Sequence, residues 1–158
     1  MNPSQVFLLV FLIGVVTGLR SMSAPAVVAW AAHRGLLNLH GTPLAFIGST
    51  AAVVIFSLMA VAELVADKLP STPSRLKPTG LIARILLGAL SGACLAGAGA
   101  QSIMIGAVLG AAGGIAGAFA GYQVRRRLVQ ALKVPDLYIA LLEDVVAIAG
   151  GILIVSHF

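Results

Sequence analysis

The sequence predicts an all-α integral membrane protein with about five transmembrane helices in one domain, residues 1–158, the first helix broken around Gly18–Pro25. Three observations carry this. Apolar residues make up 59% of the 158-residue chain and charged residues only 9%, whereas a soluble domain is about half apolar and about a quarter charged. A chain this short has too little interior to hide that much apolar surface. Apolar stretches near the ~20 residues needed to cross ~30 Å of hydrocarbon recur along it. The basic residues cluster between those stretches rather than within them. An ordinary soluble enzyme, a disordered tail and a disulfide scaffold are excluded. Cys94 is the single cysteine, so there is no internal disulfide and no Cys/His metal spacing.

The first stretch, 6–32, is too long for one upright span at about 1.5 Å per residue. Gly18-Leu-Arg-Ser-Met-Ser-Ala-Pro25 interrupts it, and Pro25 disfavours helix at Ala24. A broken crossing is the economical reading. Two half-helices returning to the same side are the alternative, and would place the N-terminus outside. Ala24-Pro25-Ala26 imitates a signal-peptide cleavage site, but no Lys or Arg precedes Val6 and Arg20 interrupts the segment.

The remaining spans are expected at about 44–69, 81–100, 103–122 and 137–155. Pro43 opens the second and Pro70 closes it; Pro73 and Pro78 stiffen the following loop, and Asp136, after Pro135, is placed to cap the fifth. Lys68, Arg75, Lys77 and Arg84 lie in or beside one loop, and Arg125, Arg126, Arg127 and Lys133 lie between spans four and five. Two spans separate these groups, so both face one side, and an excess of Lys and Arg marks the cytoplasmic side. Arg34 alone falls in the opposite loop. The expected topology has the N-terminus inside and the C-terminus outside. The triple arginine reads as an anchor for anionic lipid rather than for nucleic acid.

Span four presents Gly106, Gly110, Gly113, Gly117 and Gly121 at helical spacing, with Gly114 beside them, and span three carries Gly88, Gly92 and Gly99. Only 99–102 separates the two spans, so a tight Gly-rich hairpin is expected. The smooth face serves packing within one chain or, in the alternative, a homo-oligomer interface. No phosphate-loop pattern occurs.

Four of the five acidic residues lie within apolar spans: Glu63, Asp67, Glu143 and Asp144. A charge at a helix centre costs about 2.5–3.5 kcal/mol on insertion scales, so such residues pair or face a watery cavity. Glu63 and Asp67 share a helix face, being four residues apart. Counting helical rise from the span ends puts all four carboxylates and Arg84 at comparable depth, converging on one polar cluster near the cytoplasmic face. One guanidinium cannot neutralise four carboxylates, so a proton or cation site is favoured over a purely structural cluster. Lys68 can reduce the mismatch by snorkelling. Arg20 stands apart, at the helix break, where freed backbone groups can coordinate ions or polar substrates.

The other polar residues say less. His33 and His40 lack an acidic or cysteine partner for a metal. His157, Trp30 and Tyr122 read as interfacial. Ser21 and Ser23 have no base beside them, so no serine nucleophile is expected.

Gly18 to Pro25, Glu63-Leu-Val-Ala-Asp-Lys-Leu-Pro70 with Ser71 to Arg75, and Pro135 to Asp144 together resemble the bacterial membrane protein family known as domain of unknown function 4126. The resemblance covers nearly the whole chain. It implies an integral membrane protein and no particular activity. The family pattern has Asn-Ala-Tyr where this chain has Arg20-Ser21-Met22, so the resemblance favours the acidic elements over Arg20.

The expected function is a small transporter or channel-like protein in which Glu63, Asp67, Glu143 and Asp144 take the ion or proton, Arg84 tunes their charge and Arg20 sits at the break. The alternative is a non-catalytic scaffold or accessory subunit packing through its glycine face. No enzyme activity, cofactor or metal is expected.

Overall fold

The computed structural model describes residues 1–67 and 77–158. Lys68, Pro70, Pro73 and Arg75, with the expectations attached to them, lie outside the described residues. Within these, the chain forms six α-helices and no strand: α1 Pro3–Leu19, α2 Ser23–His33, α3 Thr50–Ala66, α4 Pro78–Ala98, α5 Ile103–Leu132 and α6 Asp136–Val155, with a 3-10 turn Ala45–Gly48 before α3.

The helix ends follow from local chemistry. Asn2 caps α1 and forms a reciprocal capping box with Gln5, and Pro3 occupies the first turn, where a missing N–H costs nothing. Arg20 then takes extended backbone, φ −136° and ψ 111°, and α2 restarts at Ser23. Pro25 falls in the first turn of α2, one of the few helical sites that tolerates it. The break thus occupies residues 20–22, inside the interval expected. Pro78 likewise opens α4.

Three boundaries differ from the sequence expectation. The second stretch becomes helical only at Thr50, because Ser49 turns extended and its hydroxyl accepts the Ala52 N–H as an N-cap. α5 runs to Leu132, ten residues past the expected end, so Arg125, Arg126 and Arg127 lie on helix rather than in a loop. It ends where Lys133 adopts the left-handed conformation, φ 52°. Asp136 is the first residue of α6, with Pro135 in the cap position.

α4, α5 and α6 are each long and apolar enough to cross a membrane; α1 and α3 are apolar but only 17 residues long, and α2 has 11. Among the described residues three helices are full-length candidate spans, against the five expected.

Glycine sets the centre of the bundle. α5 packs against both α1 and α4. A Cβ on Gly92 would lie 2.5 Å from the Gly106 carbonyl oxygen, and one on Gly88 2.6 Å from that of Gly110. A Cβ on Gly18 would lie 2.6 Å from Gly117 Cα and 2.5 Å from the Ala118 nitrogen. The glycines divide: Gly106, Gly110 and Gly114 meet α4, while Gly113 and Gly117 meet α1. Gly110 also lies under Gly14 of α1, and Gly114 under Gly18, so these two touch both neighbours. Gly121 is buried at the end of the same face.

Contacts at the two ends fix the path of the first segment. A Cβ on Gly99 would lie 2.8 Å from Val6, and one on Gly97 would touch Leu39. The start of α1, the 34–49 loop and the 99–102 turn therefore share one end of the bundle. At the other end Arg84 Nε donates to the Gly18 carbonyl, 3.1 Å. So α1 runs toward the break and α2 returns. The returning half-helices replace the single broken crossing as the description of residues 6–32.

Candidate functional site

The helix break sits at the end of the molecule formed by the C-termini of α1, α3 and α5 and the N-termini of α2, α4 and α6. A break frees backbone groups that need partners. Glu63, on the last turn of α3, answers them. Its Oε1 accepts the Ser21 N–H at 2.8 Å and the Ser21 hydroxyl at 2.5 Å. Its Oε2 accepts the Met22 N–H at 2.8 Å. The carboxylate therefore caps α2, a helix with no side-chain cap of its own, and its charge faces the positive end of the helix dipole. On the α1 side of the break Arg84 completes the set. Besides Gly18 it donates from Nη1 to Gly80 O at 3.0 Å, and its Nη2 lies 3.9 Å from Glu63.

Arg20 is the centre of the site. Its side chain is fully buried, at 0% exposure. The guanidinium makes ion pairs with Asp67, the C-cap of α3, and with Asp144 of α6, and Nη2 donates to Ala140 O at 3.3 Å. One side chain thus ties the break to two further helices. Arg20 Nε and the hydroxyls of Ser23 and Ser91 are buried and, among the described residues, find no hydrogen-bond partner.

A second cluster lies on the outer side of α6. Arg125 grips Asp136 through both carboxylate oxygens, at 2.8 and 2.5 Å, and reaches Glu143 at 3.5 Å. The hydrogen bond to Asp136 is the main reason that the Arg125 pKa is raised further above its ordinary value.

These positions redistribute the expected cluster. Glu63, Asp67, Asp144 and Arg84 do come together, with Arg20 among them. Glu143 does not join them: it and Asp144 are neighbours on α6, so they point about 100° apart, one toward Arg125 and the other toward Arg20. Arg84 is not the only guanidinium among carboxylates; Arg20, Arg84 and Arg125 each serve different ones. Ser21 does have a carboxylate beside it. The sequence reads Arg125 as part of a lipid anchor and Asp136 as a helix cap, whereas the structure pairs them with each other; the Gly18, Ser21 and Met22 backbone groups have no role in the sequence reading. The signal available was the length of α5, which brings Arg125 over Asp136.

The histidines lie elsewhere. His33 and His40 line an open cavity of about 550 Å³ at the opposite end, and His33 Nδ1 is 2.9 Å from Gly48 O. No group of three metal-ligating side chains occurs among the described residues. Trp30 donates to Ser57 Oγ at 3.0 Å and stacks under Arg34. His157 Nδ1 lies 2.7 Å from Leu153 O.

The family model described as "Domain of unknown function (DUF4126)" matches residues 7–157. Neither a curated protein nor a solved structure matches the chain.

Proposed function

The chain belongs to the DUF4126 family, and from that premise we propose that it is a small, non-enzymatic transporter or channel-like protein of the bacterial inner membrane that passes a proton or small cation through the buried ion-pair network at its helix break. The observation that carries this is Arg20: a fully buried arginine in non-helical backbone, paired with acidic residues from two other helices. Ionisable residues within apolar helices are costly and tend to mark ion or proton pathways. Broken helices are where such proteins place their sites.

The chemistry divides among the residues. Asp67 and Asp144 are the exchangeable carboxylates, because a proton or cation that takes either one releases Arg20. Arg20 converts that event into movement, since its backbone is the hinge between α1 and α2. Glu63 and Arg84 hold the hinge by satisfying its amides and carbonyl. Glu143 belongs to the α5–α6 clamp instead.

Purified protein in liposomes tests this. Proton or cation flux is expected in wild type and its loss is expected in folded Asp144→Asn. Flux unchanged in a folded Asp144→Asn variant would overturn the proposal. The scaffold alternative is weaker in the form that uses the glycine face, because α1 and α4 already cover that face.

A further inference from the structure

We propose that the inner end of α5 carries a binding site for the head group of an anionic phospholipid, built from Arg126 and Arg127. A helix of 30 residues spans about 45 Å, roughly 15 Å more than the hydrocarbon core. The surplus places its last turns at head-group level, and the sequence changes character there. Glycine and aliphatic residues give way at Tyr122 to Gln123, Arg125, Arg126, Arg127 and Gln130.

The three arginines divide by direction. Arg125 turns toward α6 and is held by Asp136 and Glu143. Arg126 and Arg127 are exposed and, with Phe119, Tyr122, Gln123 and Gln130, line an open groove of about 400 Å³. Those positions recur every three to four residues, so they form one stripe. Phe119 lies about 200° round the helix from Gly117, so the stripe faces away from the glycine seam. It faces lipid.

Charge selects the occupant. No acidic residue lines the groove; the chain has five, and all are engaged in the two ion-pair clusters. Two guanidiniums can share the oxygens of one phosphodiester. The exposed rings of Phe119 and Tyr122 lie on the membrane side of them, where a glycerol backbone and the first acyl carbons would lie. A lipid meets both halves of this surface, whereas free phosphate meets only the charged half.

The test is lipid retention, by native mass spectrometry of the full chain in neutral detergent, with phosphatidylglycerol, phosphatidylcholine or inorganic phosphate added. Wild type is expected to keep phosphatidylglycerol at least ten-fold better than phosphatidylcholine. Arg126→Gln/Arg127→Gln is expected to lose that preference, and Arg34→Gln, at the opposite end, to keep it. Both arginines are exposed, so the variant retains its fold, which circular dichroism checks. Equal retention by the double variant, equal binding of the two lipids, or displacement of the lipid by millimolar phosphate would each overturn the proposal.

Discussion

Arg20 shows how one residue can be indispensable without strengthening the fold. Taking a guanidinium and two carboxylates out of water costs several kcal/mol per ion, and their attraction offsets this only while all are present. Removing Arg20 takes away the guanidinium that Asp67 and Asp144 both pair with. Arg20→Met is therefore expected to destabilise the protein by about 3–5 kcal/mol. Arg20→Met with Asp67→Asn and Asp144→Asn is expected to recover most of that loss. Thermal unfolding in detergent compares the two; a triple variant no better than the single one would show that Arg20 acts through packing alone. Glu63→Gln makes a finer change. Glutamine keeps the shape but presents an N–H₂ where one carboxylate oxygen stood, so it cannot accept from both Ser21 and Met22. The Ser21 and Met22 amides are then expected to exchange with solvent at least ten-fold faster while the middle of α5 stays protected. Equal exchange in the two proteins would remove Glu63 from the cap. At this scale the sequence revealed which residues are unusual, since an acid within an apolar run is conspicuous. It did not reveal their partners. Glu143 and Asp144 are indistinguishable by depth and differ only in azimuth, which depends on where α1 and α5 stand.

Among the elements, α5 is the one most completely specified by its neighbours. A bilayer supplies no hydrophobic force between helices, so close backbone approach has to supply the packing. Gly110 is one of the tightest points, under Gly88 on one side and Gly14 on the other. Gly110→Ala would drive a methyl into the α4 backbone, against the Gly88 carbonyl oxygen and 3.0 Å from Gly92 Cα, and a backbone cannot turn aside as a side chain can. A loss of about 1–3 kcal/mol is expected from overpacking alone. Gly150→Ala is the control, since its nearest neighbour is a Val16 methyl at 3.6 Å, and it is expected to be neutral or to gain up to about 1 kcal/mol. Unfolding midpoints that move equally in the two variants would contradict the seam. The smooth face was readable from i, i+4 spacing. That it is two faces meeting at Gly110 and Gly114, one for α4 and one for α1, was not, because spacing on one helix says nothing about how many helices approach it. The ends of elements were harder still. α5 continues past Tyr122 because nothing in 123–132 breaks a helix; charge marks the end of the hydrocarbon, not the end of the helix.

At the scale of the whole molecule the decisive element is the return of α2. A first segment that crosses once would put the N-terminus at the end that carries Arg125 to Arg127. In the structure Val6 lies beside Gly99 and Leu39 beside Gly97, so residue 1, the 34–49 loop and the 99–102 turn share the other end. α6 starts beside Arg125 and runs away from it, placing the C-terminus there as well. Lys77, Arg125 to Arg127 and Lys133 are left at the opposite end, and the positive-inside rule assigns that end to the cytoplasm. Both termini are then expected outside. The charge pattern alone could not decide this, because residues 1–33 carry a single Lys or Arg, Arg20, and it is buried. Cysteine labelling decides it in a Cys94→Ala background. Asn2→Cys, Asn38→Cys and His157→Cys are expected to react with a membrane-impermeant maleimide on intact spheroplasts. Ala131→Cys is expected to react only after permeabilisation. If Asn2 and Asn38 label from opposite sides, α1 and α2 form a single crossing and Arg20 lies along a continuous path. If they label from the same outer side, Arg20 sits at the turning point of a segment that enters and leaves by one face, and whatever passes it must cross between that turning point and the cytoplasmic ends of α3 and α6, where Asp67 and Asp144 hold it.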